Sequence, residues 1–589
     1  MFSKTSNQEF LRHYISIIDE LRENGKVFSQ QNPDLAPYLD LSYRKSNDPE
    51  TERLIESFAY MFAQIEHKSV LALNDYAINF IEKIFPELIS PLSALTVLKL
   101  SPDLNNFKNS FVTNIPKNTK FSGYNQDHFE CHFSTTQEMP LLPMNIESSK
   151  IVNLNEYQKF SSPQSKAFAI DFLLKKPINS EKNQSLSIPL YIDSDFYNSI
   201  SIYDAFFSNK SNFLLFIDDN PNPISLARNL ITPILKFESQ DKKNNMLYPF
   251  FDFLNYYQKY LFINVNLKLN FSANSKIKLV VPFTYDIQSL NKLGDNFLSV
   301  NCVPVANYFE SKLEPIKCQK EKDEYQIRPL ASLEHQTELL SIHSLVTYDS
   351  KTGESFYLKN FHQEKNDLNL FKNHANFDNI LWSVRRSFDT STQDNGSLYV
   401  RIMHELKNSD PNFIKWPDYL FPEGICTNGL LATSIKPFTE FKCKSRDIKL
   451  KNAVSLFWPK YSRRPLKHFG NIEVLKLLYK LDQDLMSKSI LNIYEFEKIA
   501  EYITTLGNPM RSLIKQLLSK STNFVHEESV SQQLWKKQIY YIPGITYKLQ
   551  FNKKDGFPHG TFLILNFLNG YFEYIRDFNF FIHFEAEQI

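Results

Sequence analysis

The sequence predicts an α+β protein of several packed units: an N-terminal helical segment over residues 1–92, strand-rich domains over 93–330 and 331–465, and a helical then mixed region over 466–589. Size and two changes of apolar periodicity carry that reading. At 589 residues the chain exceeds what one hydrophobic core serves, and a typical domain size gives roughly four units. Helical spacing before residue 92 gives way to short alternating runs from about Thr96 to Ser455, and helical spacing returns near 471.

The first helix, about Glu9 to Gln31, carries Leu11, Ile15, Ile18 and Leu21 on one stripe. A second starts at Asn47-Asp48-Pro49, with Asp48 as N-cap, Pro49 at the first helical position and Glu50 and Glu52 near the positive helix end. Its apolar face is Leu54, Phe58, Phe62 and Ile65. A third periodic run, through Ala77, Ile81, Ile84 and Leu88, is interrupted at Pro86. Such stripes fill cores more often than interfaces. Three helices with no enclosing sequence nonetheless need a further surface to cover them, and a partner's helix would serve. The candidate partner-binding residues are therefore Leu11, Ile15, Ile18, Leu54, Phe58, Phe62 and Ile65.

Runs such as TVLKLSPD, FAIDFLL, SIPLYID, YLFINVNLKLNF and KIKLVVPF sit between Asn, Ser, Pro and Asp clusters and read as strands. Residues 349–378 are Lys- and Asn-rich and predict a long loop. Helices follow at about 471–486 and 493–519, then strands with one aromatic helix.

Composition narrows function. Basic and acidic residues number 66 and 65, so no global field draws the chain to nucleic acid or an anionic membrane. The five cysteines include no C-x-x-C pair, which removes the zinc-ribbon signature and gives no disulfide framework. No secretory leader is recognisable, and no apolar run approaches the roughly 18–20 residues that span a bilayer. The expectation is a cytoplasmic chain. Thirteen glycines leave little material for phosphate loops, and there is no Walker A, G-x-G-x-x-G or G-x-S-x-G motif.

The remaining polar candidates favour structural roles. Cys302 before Pro304 reads as a small buried residue beside a turn. Cys131-His132 lacks a second ligand pair, and a strand sends the two to opposite faces. Trp382 with Arg385 and Arg386 could bind an anion, but one Arg paired to an acid over a packed Trp is the commoner arrangement. Arg463 and Arg464 carry the same ambiguity. Asp193 and Asp195 lie beside a turn, where Asp bonds backbone. The segment EFKCKSRDIKLK alternates as a solvated strand face does. No catalytic, metal or cofactor residue is assigned.

DPETERLIESFAYMFAQIEHK, VNCVPVANYFESKLEPIKCQKEKDEYQIRP and LWSVRRSF, taken in that order with further segments between and around them, resemble the TssF (VasA/ImpG) family of type VI secretion system baseplate subunits. IDELRENGKVFSQQNPDLAPYLDL, DPETERLIESFAYMFAQIEHK and IFPELISPLSALTVLKLSPD are similar to the family's opening. IPKNTKFSG resembles its I-P-x-G-T-x-F hairpin, with Asn118 where Gly is usual. VNCVPVANYFESKLEPIKCQKEKDEYQIRP resembles its N-C-x-P-V-x-N-x-F and E-P-I elements, LWSVRRSF its W-x-x-R-R element, and RRPLKHFGNIEVLKLLYKL the lead into its C-terminal helices.

The resemblance implies a fold similar to contractile-phage wedge proteins and a mechanical role without catalysis or cofactor. It implies assembly with a second copy of the chain and a TssG-like subunit. TssE-like and TssK-like proteins, a VgrG-like spike and, indirectly, a membrane complex complete the set, with no nucleic acid. A wedge protein of a phage or phage-like particle is the alternative, and an enzyme on a β-rich scaffold is the rival from another class.

Overall fold

The computed structural model describes residues 4–589 apart from 36–37, 39–47, 85–90, 105–112, 155–165, 178–185, 238–247, 268–271, 284–293, 332–335, 349–352, 362–379, 388–396, 405–416, 461–496, 498–499, 501–507, 536–537, 554–555, 576–579 and the single positions 210, 219, 221, 236, 273, 320 and 354. The architecture is α+β. Two long helices, α1 (Lys4–Gln31) and α2 (Pro49–Ile84), precede a body of antiparallel sheets. The run expected as a third helix belongs to α2, which continues unbroken to Ile84 because no breaker intervenes before Pro86. Its start is the one the sequence specifies. Asp48 accepts from the Glu50 N–H at 3.2 Å and the Thr51 hydroxyl at 2.7 Å, and these bonds, Thr51 first, hold its carboxyl below the usual range. The helix expected at 471–486, and Arg463 and Arg464, lie outside the described residues.

The body begins with six strands in the order Phe441–Cys443, Lys120–Tyr124, Glu130–Thr135, Cys302–Ala306, Leu95–Pro102 and Leu450–Ser455. Its two outer strands also meet. Phe438 N–H donates to the Ser455 carbonyl, Ser455 N–H to that of Thr439, and Glu440 bridges Val454. The sheet therefore closes on itself around Leu98, Phe121, Phe133, Val303 and Val305, and its edges disappear. In the Lys-Asn hairpin before Lys120, Asn118 takes a left-handed φ of 63°, a conformation Gly adopts freely and Asn better than most residues.

Two asparagines of the NCVPVAN segment flank the barrel strand Cys302–Ala306 and attach it at both ends. Asn301 accepts from Leu142 N–H and donates to the Leu142 and Met144 carbonyls. Asn307, fully buried, donates to the His132 carbonyl and the Asn428 side chain and accepts from the Thr427 hydroxyl at 2.6 Å and the Asn428 N–H at 2.7 Å. Between Asn307 and Asn428 the chain leaves the barrel to build a sandwich. One layer is Phe309–Lys312, Tyr419–Thr427, Glu338–Tyr348 and Ser355–Tyr357; the other is Glu324–Gln326, Ser397–His404, Ile380–Ser387 and Lys359–Asn360. Its own core gathers Leu345, Phe356 and Leu420 from the first layer with Tyr325, Trp382 and Val400 from the second. Residues 432–456 then return to the barrel core.

That larger core also takes in the sheets of 144–299 and the C-terminal elements. Helices α3 (Phe196–Ser208), α4 (Tyr248–Asn255), α5 (Pro509–Lys520) and α6 (Thr561–Ile575) meet there, α4 and α6 through aromatic rings, with Phe253 stacking on Phe567 at 3.9 Å. Asp204 of α3 caps α6 across the core, accepting from the N–H groups of Gly560, Phe562 and Leu563. Last come Ser521–Trp535 and Gln538–Phe551, a long antiparallel hairpin that Phe581–Gln588 joins in parallel.

Candidate partner-binding surface on the helical hairpin

Helices α1 and α2 pack antiparallel through small and polar residues. Ala59, Ala63, Glu52 and His67 of α2 are buried, as are Ile18 and Ser29 of α1. Arg22 and Glu52 form an ion pair across the seam, His13 meets Glu66 at 3.3 Å, and Phe10 lies edge-on to Tyr60 at 5.4 Å. Glu52, being nearly enclosed, fixes the register, because a slip would strand its charge.

The apolar stripe of α2 is on the other side. Leu54, Phe58, Phe62 and Ile65 are 48–61% exposed, and at 3.6 residues per turn they point roughly 140° away from the buried row. Leu11 and Ile15 of α1 are about equally exposed, whereas Ile18 turns inward. Six of the seven candidate residues thus face solvent and one closes the hairpin. Met61, beside the stripe, enlarges it, while Tyr60 and, on α1, Val27 and Phe28 are exposed elsewhere on the hairpin. Sequence reasoning missed them because they fall off the strict stripe, although a wide apolar arc was readable in ESFAYMF. A contiguous apolar face of this kind is the sort of surface that contacts between proteins use.

The chemistry-bearing candidates elsewhere are tied up within the fold. Cys131 and Cys302 are buried, and burial pushes the Cys131 thiol up to about 12 and that of Cys302 higher still. His132 points away from Cys131 toward Lys444 Nζ at 3.3 Å. Arg385 grips Glu324 with two bonds of 2.8 and 3.0 Å, Arg386 is buried on the Leu340 carbonyl, and Trp382 donates to the Leu358 carbonyl. Asp195 caps α3 through the Asn198 N–H, and burial raises the Asp193 carboxyl.

Ser201, His559 and Asp204 have the residue types of a hydrolytic triad without its wiring. Ser201 Oγ lies 3.1 Å from His559 Nδ1, but Ser201 is buried and donates to the Tyr197 carbonyl, and Asp204 is bound to the α6 backbone. Among the described residues no cluster of three or more His, Cys, Asp or Glu could hold a metal, and no helix is long and apolar enough to cross a membrane.

Polar side chains closed on one another and apolar faces turned outward define an assembly component. Residues 6–588 match the family model described as type VI secretion system, TssF. The chain belongs to that family. It is 23% identical over 363 residues to the type VI secretion system component TssF1 of Pseudomonas aeruginosa, the aligned part spanning 57% of this chain and 58% of that relative. Its fold is similar to a chain in the cryo-electron microscopy structure of the type VI secretion system TssK-TssF-TssG baseplate subcomplex. The TM-score is 0.65 at 15% identity, covering 91% of this chain and 96% of the other.

Proposed function

We propose that this chain is a structural subunit of a type VI baseplate wedge and has no catalytic activity. It assembles with a TssG-like subunit and a second copy of itself, and the wedge binds TssK-like and TssE-like proteins around a VgrG-like spike. It works in the cytoplasm, in a baseplate docked at the inner membrane. Family membership favours this over a phage-particle wedge. The observation that carries the reading is the α2 stripe, which faces away from α1. Residues Leu11, Ile15, Leu54, Phe58, Phe62 and Ile65 are its contact set for a partner's helices, and Ile18 supports them from the seam.

The test is co-expression with a TssG-like subunit. A stable heteromeric complex is expected, and removing residues 1–92 should abolish it while the remaining body stays folded by circular dichroism. An intact complex without residues 1–92 would sink the assignment of the hairpin.

A further inference from the structure

We propose that the turn at residues 436–439 is a docking point for an anionic lipid surface, which it enters with Phe438. The turn leads into the barrel strand Phe441–Cys443. Pro437 holds its second position and Phe438 its third, and Thr439 N–H donates to the Lys436 carbonyl at 3.3 Å. Phe438 has a φ of 61°. Proline followed by a positive φ makes a type II turn, whose third position calls for Gly or Asn, and a bulky ring there is strained. Hydrogen bonds hold the strained residue in place. Phe438 N–H donates to the Ser455 carbonyl at 2.7 Å and Ser455 N–H to that of Thr439 at 3.1 Å. The hydroxyls of Thr439 and Ser455 both donate to the Lys436 carbonyl. What this rigid loop displays is a ring 72% exposed, the most exposed phenylalanine among the described residues. Trp458, three residues beyond Ser455 and so within about 10 Å of it along the chain, is 46% exposed. A ring kept where Gly fits, and kept out of the core, serves a contact outside the chain.

Charge selects the occupant. Residues 436–451 carry six basic and two acidic side chains, in a chain whose net charge is +1. Phe441 is buried, so Lys442 beside it faces outward. Lys436, Lys442 and Lys451 are exposed and form no ion pair with a described residue, whereas Lys444 is taken by Glu130 at 3.0 Å. Glu440, the acid nearest the turn, accepts from the Asn452 side chain at 3.2 Å. Lysine is depleted where proteins meet, because its strongly hydrated ammonium gives up water reluctantly. Lysines around exposed Phe and Trp are instead the composition of surfaces that rest on anionic bilayers. There the rings reach below the headgroups and the ammonium groups stay among the phosphates. A bilayer also accepts a protruding ring without needing a matching pocket.

This rests on the reading of the chain as part of a baseplate docked at the inner membrane, and gives that docking a lipid contact. The test is flotation of the full chain with vesicles of three parts phosphatidylethanolamine to one part phosphatidylglycerol, against vesicles of phosphatidylcholine alone. Binding to the anionic vesicles only is expected, weakening as salt rises from about 0.1 to about 0.5 M. Phe438→Asn should hold or raise the melting temperature, because Asn accepts the left-handed conformation, and should lower vesicle affinity about tenfold or more. Lys436→Glu with Lys442→Glu should lower it by a similar factor at low salt and by less at high salt. A chain that does not float with the anionic vesicles, or that floats regardless of Phe438→Asn, would overturn the proposal. So would Phe438-dependent binding to a single-stranded oligonucleotide that is tighter than binding to vesicles, since the patch would then be a nucleic-acid surface. Each variant should still co-purify with a TssG-like subunit. Failure of vesicle binding alone leaves the baseplate reading intact, whereas absence of that complex from the unmodified chain removes it.

Discussion

Phe58 and Ala59 are neighbours in sequence and belong to opposite sides of α2, which makes them the sharpest test of where function lies. Phe58 is 48% exposed and Ala59 is 0% exposed. Fully burying a side chain of this size is worth about 1.5–3 kcal/mol, so covering the exposed half of Phe58 adds roughly 0.7–1.5 kcal/mol to docking. Phe62 is equivalent, and Phe58→Ala with Phe62→Ala should remove about 1.5–3 kcal/mol, or roughly 10- to 150-fold in affinity for the TssG-like subunit. The chain's own stability should move by less than about 1 kcal/mol, since neither ring supports the α1–α2 seam. Ala59→Leu should behave in the opposite way. It forces extra carbon into a filled seam, costs about 1–3 kcal/mol, and loosens α1 from α2. Calorimetric titration measures the first effect and hydrogen exchange over residues 4–84 the second. If Phe58→Ala with Phe62→Ala leaves affinity unchanged, or unfolds the hairpin, the stripe is not an interface and the argument fails.

Two further outcomes follow from buried polar groups. Burial pushes the Asp204 carboxyl up to about 7 against its N–H partners, so the fold favours the protonated acid. Stability from this group is complete below the ordinary carboxylate pKa and is lost as pH rises through about 7, by at most about 4 kcal/mol. Melting curves from pH 5 to 8 should fall more steeply for the unmodified chain than for Asp204→Asn, and equal slopes would refute it. Asn307→Ala should strand the Thr427 hydroxyl, the Asn428 N–H and the His132 carbonyl, costing about 2–4 kcal/mol, and limited proteolysis should then cut beside the sandwich sooner than in the unmodified chain.

How much was legible depends on whether the signal was local. Asp48-Pro49 announced the start of α2 because capping involves only residues a few positions apart. Alternation announced strands such as Lys276–Phe283, and their neighbours were beyond reach because register is decided by residues far away in the chain. The closure of the barrel joins Leu95–Pro102 to Leu450–Ser455, and no spacing rule connects those segments. The merger of two helical runs into α2 was hidden because their apolar stripes read as separate, although no Gly or Pro lies between Glu50 and Ile84 to divide them. For the surface, the stripe was readable but its orientation was not. A helical wheel names an apolar face without saying what faces it, and the seam with α1 uses Ala59, Ala63 and Glu52, residues a hydrophobicity pattern passes over.

That inversion has a mechanical consequence. Close helix packing through alanines, pinned by one enclosed ion pair, gives a stiff hairpin that keeps its bulky side chains for other contacts. Helix α2 also touches the sandwich strand Ile380–Ser387, whose Trp382 fills the sandwich core. The sandwich joins the barrel through chain segments that cross beside Asn307, Thr427 and Asn428. A load applied to the α2 stripe therefore meets a continuous path of packed and hydrogen-bonded groups into the barrel. Asn307→Ala should interrupt that path without touching either surface. A complex that forms with unchanged affinity but shows faster hydrogen exchange at Leu313–Cys426 is the expected signature. Exchange there that is unaffected by the substitution would mean that the sandwich is held by its packing alone, and that the crossing contributes no stiffness.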